Sequence, residues 1–362
     1  MRLLQNFSVY PGYLARIDRL ARAAHAESFD ARLRVIEQDR YCALHMLEPV
    51  QERDPSAFFT CCNDEVLQRH WAREHGMPGD ASMEAILLAQ IEQHRTEVFY
   101  NTDPVAYPSS FVRKLPSTVK SSIAWRAAPS GQADFTAYTL VVCNFPSLLA
   151  DHERRGCRTA YFFPGVDPAM ADYARNTDRP IDVLFVGGYT RYHMRRAELL
   201  SAMARSGDQH EIAMHLDSSR LTKFAESAVG RLLPLARYRR PVEIRRVARP
   251  AVFGRDLFEV LSRAKIVLNG AIDMAGNDRG NMRCFEAMGC GALLLSDAGV
   301  YPAGMENDRT LVTYDSVAGA MDATAGLLTD SARRLRIAAA GNELMNTQYS
   351  KSRQWAAFKA LV

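Results

Sequence analysis

The stretch GNDRGNMRCFEAMGCGALLLSD, residues 276–297, decides how the rest of the chain is read. A polar loop bounded by glycines runs into a short helical segment. That segment closes on Gly289-Cys290-Gly291, and the wholly apolar run 292–295 follows. An apolar run without polar alternation marks a strand buried on both faces, the habit of parallel sheets. Gly280 or Asn281 stands where a helix N-cap belongs, and the positive end of that helix favours an anion. Arg283 and Glu286 are three residues apart and share a helix face. Such a glutamate has two readings. It pairs with Arg283 as a structural ion pair, or it accepts hydrogen bonds from the two hydroxyls of a ribose.

Working outward, the second half alternates strands and helices. IDVLFVGG (181–188) reads as a strand ending in glycines, and RYHMRRAELLSAMARSG as a helix. EIAMHL (211–216) and VEIRRV (242–247) read as strands, GRDLFEVLSRA as a helix, KIVLN as a strand, and the tail as helical. The first half is less regular. LLQNFSVY (3–10) predicts a first strand, broken by a Pro11-Gly12 turn. AFFTCCN (57–63), TEVFYN, SSIAW and LVVCN are short apolar runs. DEVLQRHWAREHG, with Asp64 as N-cap, and SMEAILLAQIEQH are amphipathic helices. This pattern predicts an α/β protein with two doubly wound parallel sheets. At 362 residues, two domains are expected. We place them at 1–165 and 166–345, with a terminal helix, 346–362, packing back toward the N-terminal domain. Ligands of such folds bind at the carboxyl ends of the strands, here in the cleft between domains.

A hydrophobic share of 48%, a charged share of 24% and a net charge of +4 are those of a globular protein without the concentrated basic face of a nucleic-acid binder. The basic run RYRRPVEIRRVAR, 237–249, holds six arginines. It reads as a solvated face around an edge strand, with docking on anionic headgroups as the alternative. Seven cysteines without paired Cys-x-x-Cys spacing argue against a zinc site or a disulfide framework and for a reducing compartment. No run is long enough to span a bilayer, and the N-terminus lacks the pattern of a signal peptide. A cytoplasmic protein is expected, with peripheral contact at a membrane face left open.

Two further motifs carry chemistry. In VGGYTRYHMRR, 186–196, Gly187 and Gly188 let backbone N–H groups approach a phosphate. His193, Arg195 and Arg196 follow in the first helical turns, where arginine offers a bidentate fork to phosphate oxygens. The bland alternative is a tight turn with solvated arginines. In YPGYL, 10–14, the Tyr10 and Tyr13 rings flank Pro11-Gly12 and are candidates to stack on a sugar; the bland alternative is an ordinary turn with core tyrosines. His70 and His75 lack metal-ligand spacing, and Cys61-Cys62 reads as core. No metal and no cofactor beyond a co-substrate is expected.

The chain resembles the GT-B glycosyltransferases, in particular the CgeB-like (spore-maturation-type) group. The resemblance lies in NMRCFEAMGCGALLLSD, DVLFVGGYTRYHMRR, NDEVLQRHWAREHG with ILLAQIEQH, and GMENDRTLVTYDS, in family order along nearly the whole chain. It implies transfer of a sugar from a nucleotide-diphosphate sugar to a glycan, lipid, protein or small-molecule acceptor, with a retaining, metal-independent mechanism. It further implies that Glu286 binds the donor ribose, with Asn281 and Arg283 in the same donor site. Asp278 or its loop faces the donor sugar, His193 and Arg196 approach the diphosphate, and the loop of Tyr10 and Gly12 faces the acceptor and the diphosphate. Retaining members carry Glu-x7-Glu where this chain has Asp278-x7-Glu286. They often place a histidine in the N-terminal domain, where SSIAWRAAPSG offers Trp125 and Arg126 instead. A nucleotide-sugar epimerase and a non-catalytic interaction protein of a surface-glycan or spore-coat assembly are the competing readings.

Overall fold

The computed structural model describes residues 1–362 except 42, 190–192 and 271–275. Cys42 and residues 190–192 of the glycine-strand motif therefore lie outside the described residues. The chain forms two compact units. The first holds Met1–Gly165, the described loop residues 276–278, and Tyr349–Val362. The second holds the described residues from Val166 to Gly270 and Arg279–Gln348.

The first unit carries a six-stranded sheet: β1 Leu3–Phe7, β2 Ala57–Cys61, β3 Val98–Asn101, β4 Ser121–Trp125, β5 Leu140–Cys143 and β6 Thr159–Tyr161. Their spatial order is β2-β1-β3-β4-β5-β6. The second unit carries β7 Ile181–Gly188, β8 Ile212–Asp217, β9 Ala248–Pro250, β10 Ala264–Leu268, β11 Leu293–Asp297 and β12 Val312–Tyr314. Their order is β12-β11-β10-β7-β8-β9. Strand pairing is parallel in both sheets. The strand order reverses direction between β1 and β3 in one unit and between β7 and β10 in the other, the places where doubly wound sheets open a crevice.

The cores follow from the apolar runs. In the first unit, Leu4, Phe99, Ala124 and Val141 pack under Leu87, Ile91 and Phe111. In the second, Val183, Phe185, Ile266, Leu268, Leu293 and Leu295 pack under Leu199, Leu200 and Met203 of the helix Met194–Arg205. The last helix, Lys351–Lys359, belongs to the first unit. Phe358 lies between Tyr100 and Phe162, with ring centroids 5.0 and 5.7 Å away. Lys351 Nζ donates to the Met46 carbonyl at 2.7 Å, and Gln354 Nε2 to that of Leu44 at 3.0 Å. The six described cysteines are buried free thiols. No helix among the described residues is long and apolar enough to cross a membrane.

Two expectations are corrected, and one pair of alternatives is decided. VEIRRV is a helix, Val242–Val247, and the strand is the next three residues, β9. Ile244 and Val247 are buried three positions apart, a helical rather than alternating period. The Pro11-Gly12 pair is no turn. Pro11 opens the helix Pro11–Ala23, where its fixed φ and missing N–H suit the first position. Tyr13 is wholly buried, stacked on Tyr41 at 3.7 Å, so its ring is core and does not offer a sugar platform. The strands β6 and β12 went unassigned in the sequence; each is three residues long.

Candidate functional site

The second unit's switch point is built from the ends of β7 and β10. Gly187 and Gly188 remain in the ladder, paired with Leu216 and Asp217 of β8. After the loop, the helix Met194–Arg205 begins with His193 at the N-cap, whose own side chain makes no capping bond. The N–H groups at such an end lie outside the helix's own ladder. His193 is half-buried and Arg195 exposed. Arg196 turns inward: its guanidinium donates to the carbonyl of Gly270, just past β10, and lies 5.9 Å from the Phe185 ring. One cation thus ties the segment that follows β7 to the segment that follows β10.

Beside it stands a polar chain. Asn269 Nδ2 donates to Ser296 Oγ at 3.0 Å, and Tyr314 Oη to the Asn269 carbonyl at 2.6 Å. Asn281 Nδ2 donates to Asn269 Oδ1 at 3.2 Å. Asn281 occupies the N-cap of the helix Met282–Gly289, yet its side chain makes no capping bond. The helix end is thereby held against β10. At the far end Gly291 takes φ +74°, and a Cβ there would press on the Ala174 carbonyl.

Glu286 is 5% exposed. Arg283 Nη1 meets its Oε2 at 2.6 Å. Of the two readings open in the sequence, the ion pair is the one the coordinates display. The pair engages one carboxylate oxygen, and a carboxylate offers two oxygens with about four acceptor sites. Arg283 Nε is buried with no hydrogen-bond partner among the described residues. A second ion pair, Arg279 to Asp297 at 2.5 Å, lies at the end of β11, where Tyr301 Oη donates to the Asp297 carbonyl. Burial pushes the Cys284 thiol up to about 12, with the Asp297 charge adding to it, so this thiol stays protonated. Burial, then Asp297, also raises Tyr314. Among the described residues no group of three or more His, Cys, Asp or Glu is placed to hold a metal ion.

The remaining sequence-named residues belong to the first unit. Asp278 accepts the Ser147 N–H at 2.7 Å and so caps the helix Pro146–Arg154. Tyr10 is 70% exposed at the N-cap of the first helix, with Gly12 exposed in its first turn. A histidine does stand against Trp125: His45, from a loop 80 positions earlier, with ring centroids 4.6 Å apart. Burial, then the Lys351 charge, lowers it to about 3, and it packs as a neutral ring. Sequence reading missed Asn269, Ser296, Arg279 and Tyr314. The one legible sign was Asn269-Gly270 directly after an apolar strand.

Residues 195–360 match the family model described as "Glycosyl transferase-like". No curated protein matches the sequence. Among solved structures, the chain is similar to Anabaena HepE in complex with UDP and glucose. The TM-score is 0.58 at 13% identity, over 99% of this chain and 98% of that one. HepE was also solved with UDP-glucose. Sucrose-phosphate synthase from Thermosynechococcus elongatus gives a TM-score of 0.56 at 13% identity, covering 99% and 98%. A glycosyltransferase from Rickettsia africae gives 0.54 at 12%, covering 99% and 97%. The chain therefore has the α/β fold of GT-B glycosyltransferases, two six-stranded parallel sheets flanked by helices.

Proposed function

We propose that the protein is a glycosyltransferase that takes its sugar from a nucleotide-diphosphate donor bound by the second unit. The observation that carries the reading is the switch point between β7 and β10. Two glycines, a helix N-terminus and the Arg196 guanidinium converge there. Backbone N–H groups and a fixed cation form a site for a diphosphate, and their attraction grows as the departing nucleotide gains charge. Catalysis in this reading rests on positioning and on that electrostatic stabilisation, without a resident cofactor or metal.

Glu286 is the proposed ribose anchor. Arg283 fixes one of its oxygens, and the other accepts from the sugar. A buried ion pair is a weak source of stability, because desolvation offsets the attraction. A binding role gives this one a purpose. Asp278, which caps a helix of the first unit, is proposed to hold its loop rather than to act as base. A retaining outcome, a hexosyl donor and membership of the CgeB-like group extend the proposal. The UDP bound by HepE makes UDP the first nucleotide to try.

Isothermal titration with UDP, GDP and dTDP tests the reading directly. A diphosphate of at least one base is expected to bind tighter than about 1 mM. Donor hydrolysis is expected with the matching nucleotide sugar. If none of the three nucleotides binds, the proposal fails.

A further inference from the structure

Residues 218–250, from the end of β8 through β9, hold nine lysines and arginines against two acids, a net +7 in a chain of net +4. Everything outside the segment therefore sums to −3. Both acids of the segment are already engaged. Glu226 is clamped by Arg240 at 2.5 Å, and Glu243 faces Arg205 at 3.4 Å.

The same segment exposes aliphatic surface. Leu232 is 87% exposed and Val229 64%; Leu221, Phe224 and Leu233 are exposed as well. Leu221 and Phe224 stand three apart on the helix Arg220–Glu226 and share a face. Arg220, Lys223, Arg231 and Arg237 are exposed between these apolar tips.

This display is held in place by the fold. The Arg239 guanidinium donates to the carbonyls of Ala225, Gly230, Arg231 and Leu233, at 2.7 to 3.1 Å. Gly230 lies so close to the end of the helix that a Cβ there would meet the Phe224 carbonyl oxygen at 1.9 Å. One arginine and one glycine thus fold the segment back on itself and keep its aliphatic tips turned out.

We propose that this segment docks the protein on an anionic lipid bilayer. Basic side chains draw it to the charged surface, and the apolar tips enter the headgroup boundary. A lipid surface suits these residues better than a protein partner. Protein interfaces centre on aromatic and arginine anchors seated in pockets, whereas here leucines, a valine and the one ring of Phe224 protrude between cations, the mix an interfacial amphipathic segment presents to a bilayer. The inference does not depend on the sugar-transfer reading.

The test is sedimentation of the full-length protein with phosphatidylcholine vesicles, with and without phosphatidylglycerol. Binding is expected only with the anionic lipid, and weaker as ionic strength rises. Arg231→Glu and Arg237→Glu are each expected to lower partitioning roughly fivefold. Leu232→Asp should lower it about tenfold; at 87% exposure the change leaves the fold intact. Absence of pelleting, equal partitioning to neutral and anionic vesicles, or an unaffected Leu232→Asp protein would overturn the proposal. So would self-association abolished by Leu232→Asp without vesicle binding, which would make the face an interface between copies.

Discussion

The two sheets share a winding pattern, yet their switch points differ in chemistry. Between β1 and β3 the polar groups form a chain. Asn6 Nδ2 donates to Asn101 Oδ1 at 2.9 Å, Asn101 Nδ2 to Tyr138 Oη at 2.6 Å, and Tyr138 Oη to the Tyr107 carbonyl at 2.5 Å. Ser8 Oγ donates to the Asp103 carboxylate. Between β7 and β10 a guanidinium bridges two glycine-containing ends, and the N-cap residues of the helices Met194–Arg205 and Met282–Gly289 make no capping bond with their own side chains. In the first unit Asp64 and Asp278 cap the helices that follow β2 and β5. A missing cap bond is not enough by itself, since the N-cap side chain of Pro11–Ala23, the helix after β1 at the first switch point, makes none either. Position and cation together mark the second switch point for an anion. Topology sets where a ligand can sit, and side chains choose its charge.

The largest expected effect comes from Glu286. Glu286→Ala leaves Arg283 unpaired in a nearly buried place, at a stability cost of about 3 kcal/mol. It should also weaken UDP binding by roughly 1.5 to 3 kcal/mol through lost charge-assisted hydrogen bonds. The double change Glu286→Leu with Arg283→Met separates the two effects. Much of the melting temperature should return while UDP affinity stays low. A double variant that binds UDP like the wild type would reduce Glu286 to a structural residue.

Arg196→Ala comes next. UDP should bind about 1.5 kcal/mol more weakly while uridine binding barely changes, because the cation serves phosphate oxygens. Arg196→Lys should not restore UDP fully, since an ammonium cannot hold the Gly270 carbonyl and a phosphate in one planar fork. Equal losses for UDP and uridine would erase the contrast between the switch points.

Much of this contrast was legible where the signal is local. Strands β1 to β5, β7, β8, β10 and β11 announce themselves as apolar runs, and Arg283–Glu286 follows from a spacing of three. The chain was misread where context decides. VEIRRV has strand composition, yet its buried positions fall at helical spacing behind Pro241. Pro11 looked like a breaker and opens a helix. The polar chain around Asn269 was out of reach, because its partners lie 12, 27 and 45 residues away. Asp278 capping Ser147, 131 positions away, is likewise invisible before folding.

Acid should separate the two units. His45 is lowered from 6.5 to about 3 by burial and then Lys351, and His94 to about 4 by burial and then Arg2. Both lie in the first unit. Their folded values sit below the unfolded ones, so the unfolded chain takes up protons that the folded one refuses. That stability is complete above pH 6.5 and is lost as pH falls toward the folded values. Between pH 7 and 5, His45 alone should withdraw about 2 kcal/mol. In the second unit His215 is lowered as well, by burial first, but it remains partly open to solvent. Calorimetry at both pH values should show a pH-dependent transition that flattens in His45→Leu. An equal slope in that variant would assign the acid sensitivity elsewhere.

The smallest effect tests the first switch point alone. Ser8→Ala deletes one hydroxyl donor to Asp103 and leaves the backbone bond from Thr102 N–H to the Asn6 carbonyl in place. Stability should fall by about 1 kcal/mol, the usual net worth of such a bond, because the half-buried Asp103 can recruit water instead. UDP affinity should stay within twofold of the wild type. Among the described residues the chain from Asn6 through Asn101 to Tyr138 contains no cation for a diphosphate. A Ser8→Ala protein that lost UDP binding would mean that the first switch point shares the donor, and the division of chemistry between the two sheets would have to be redrawn.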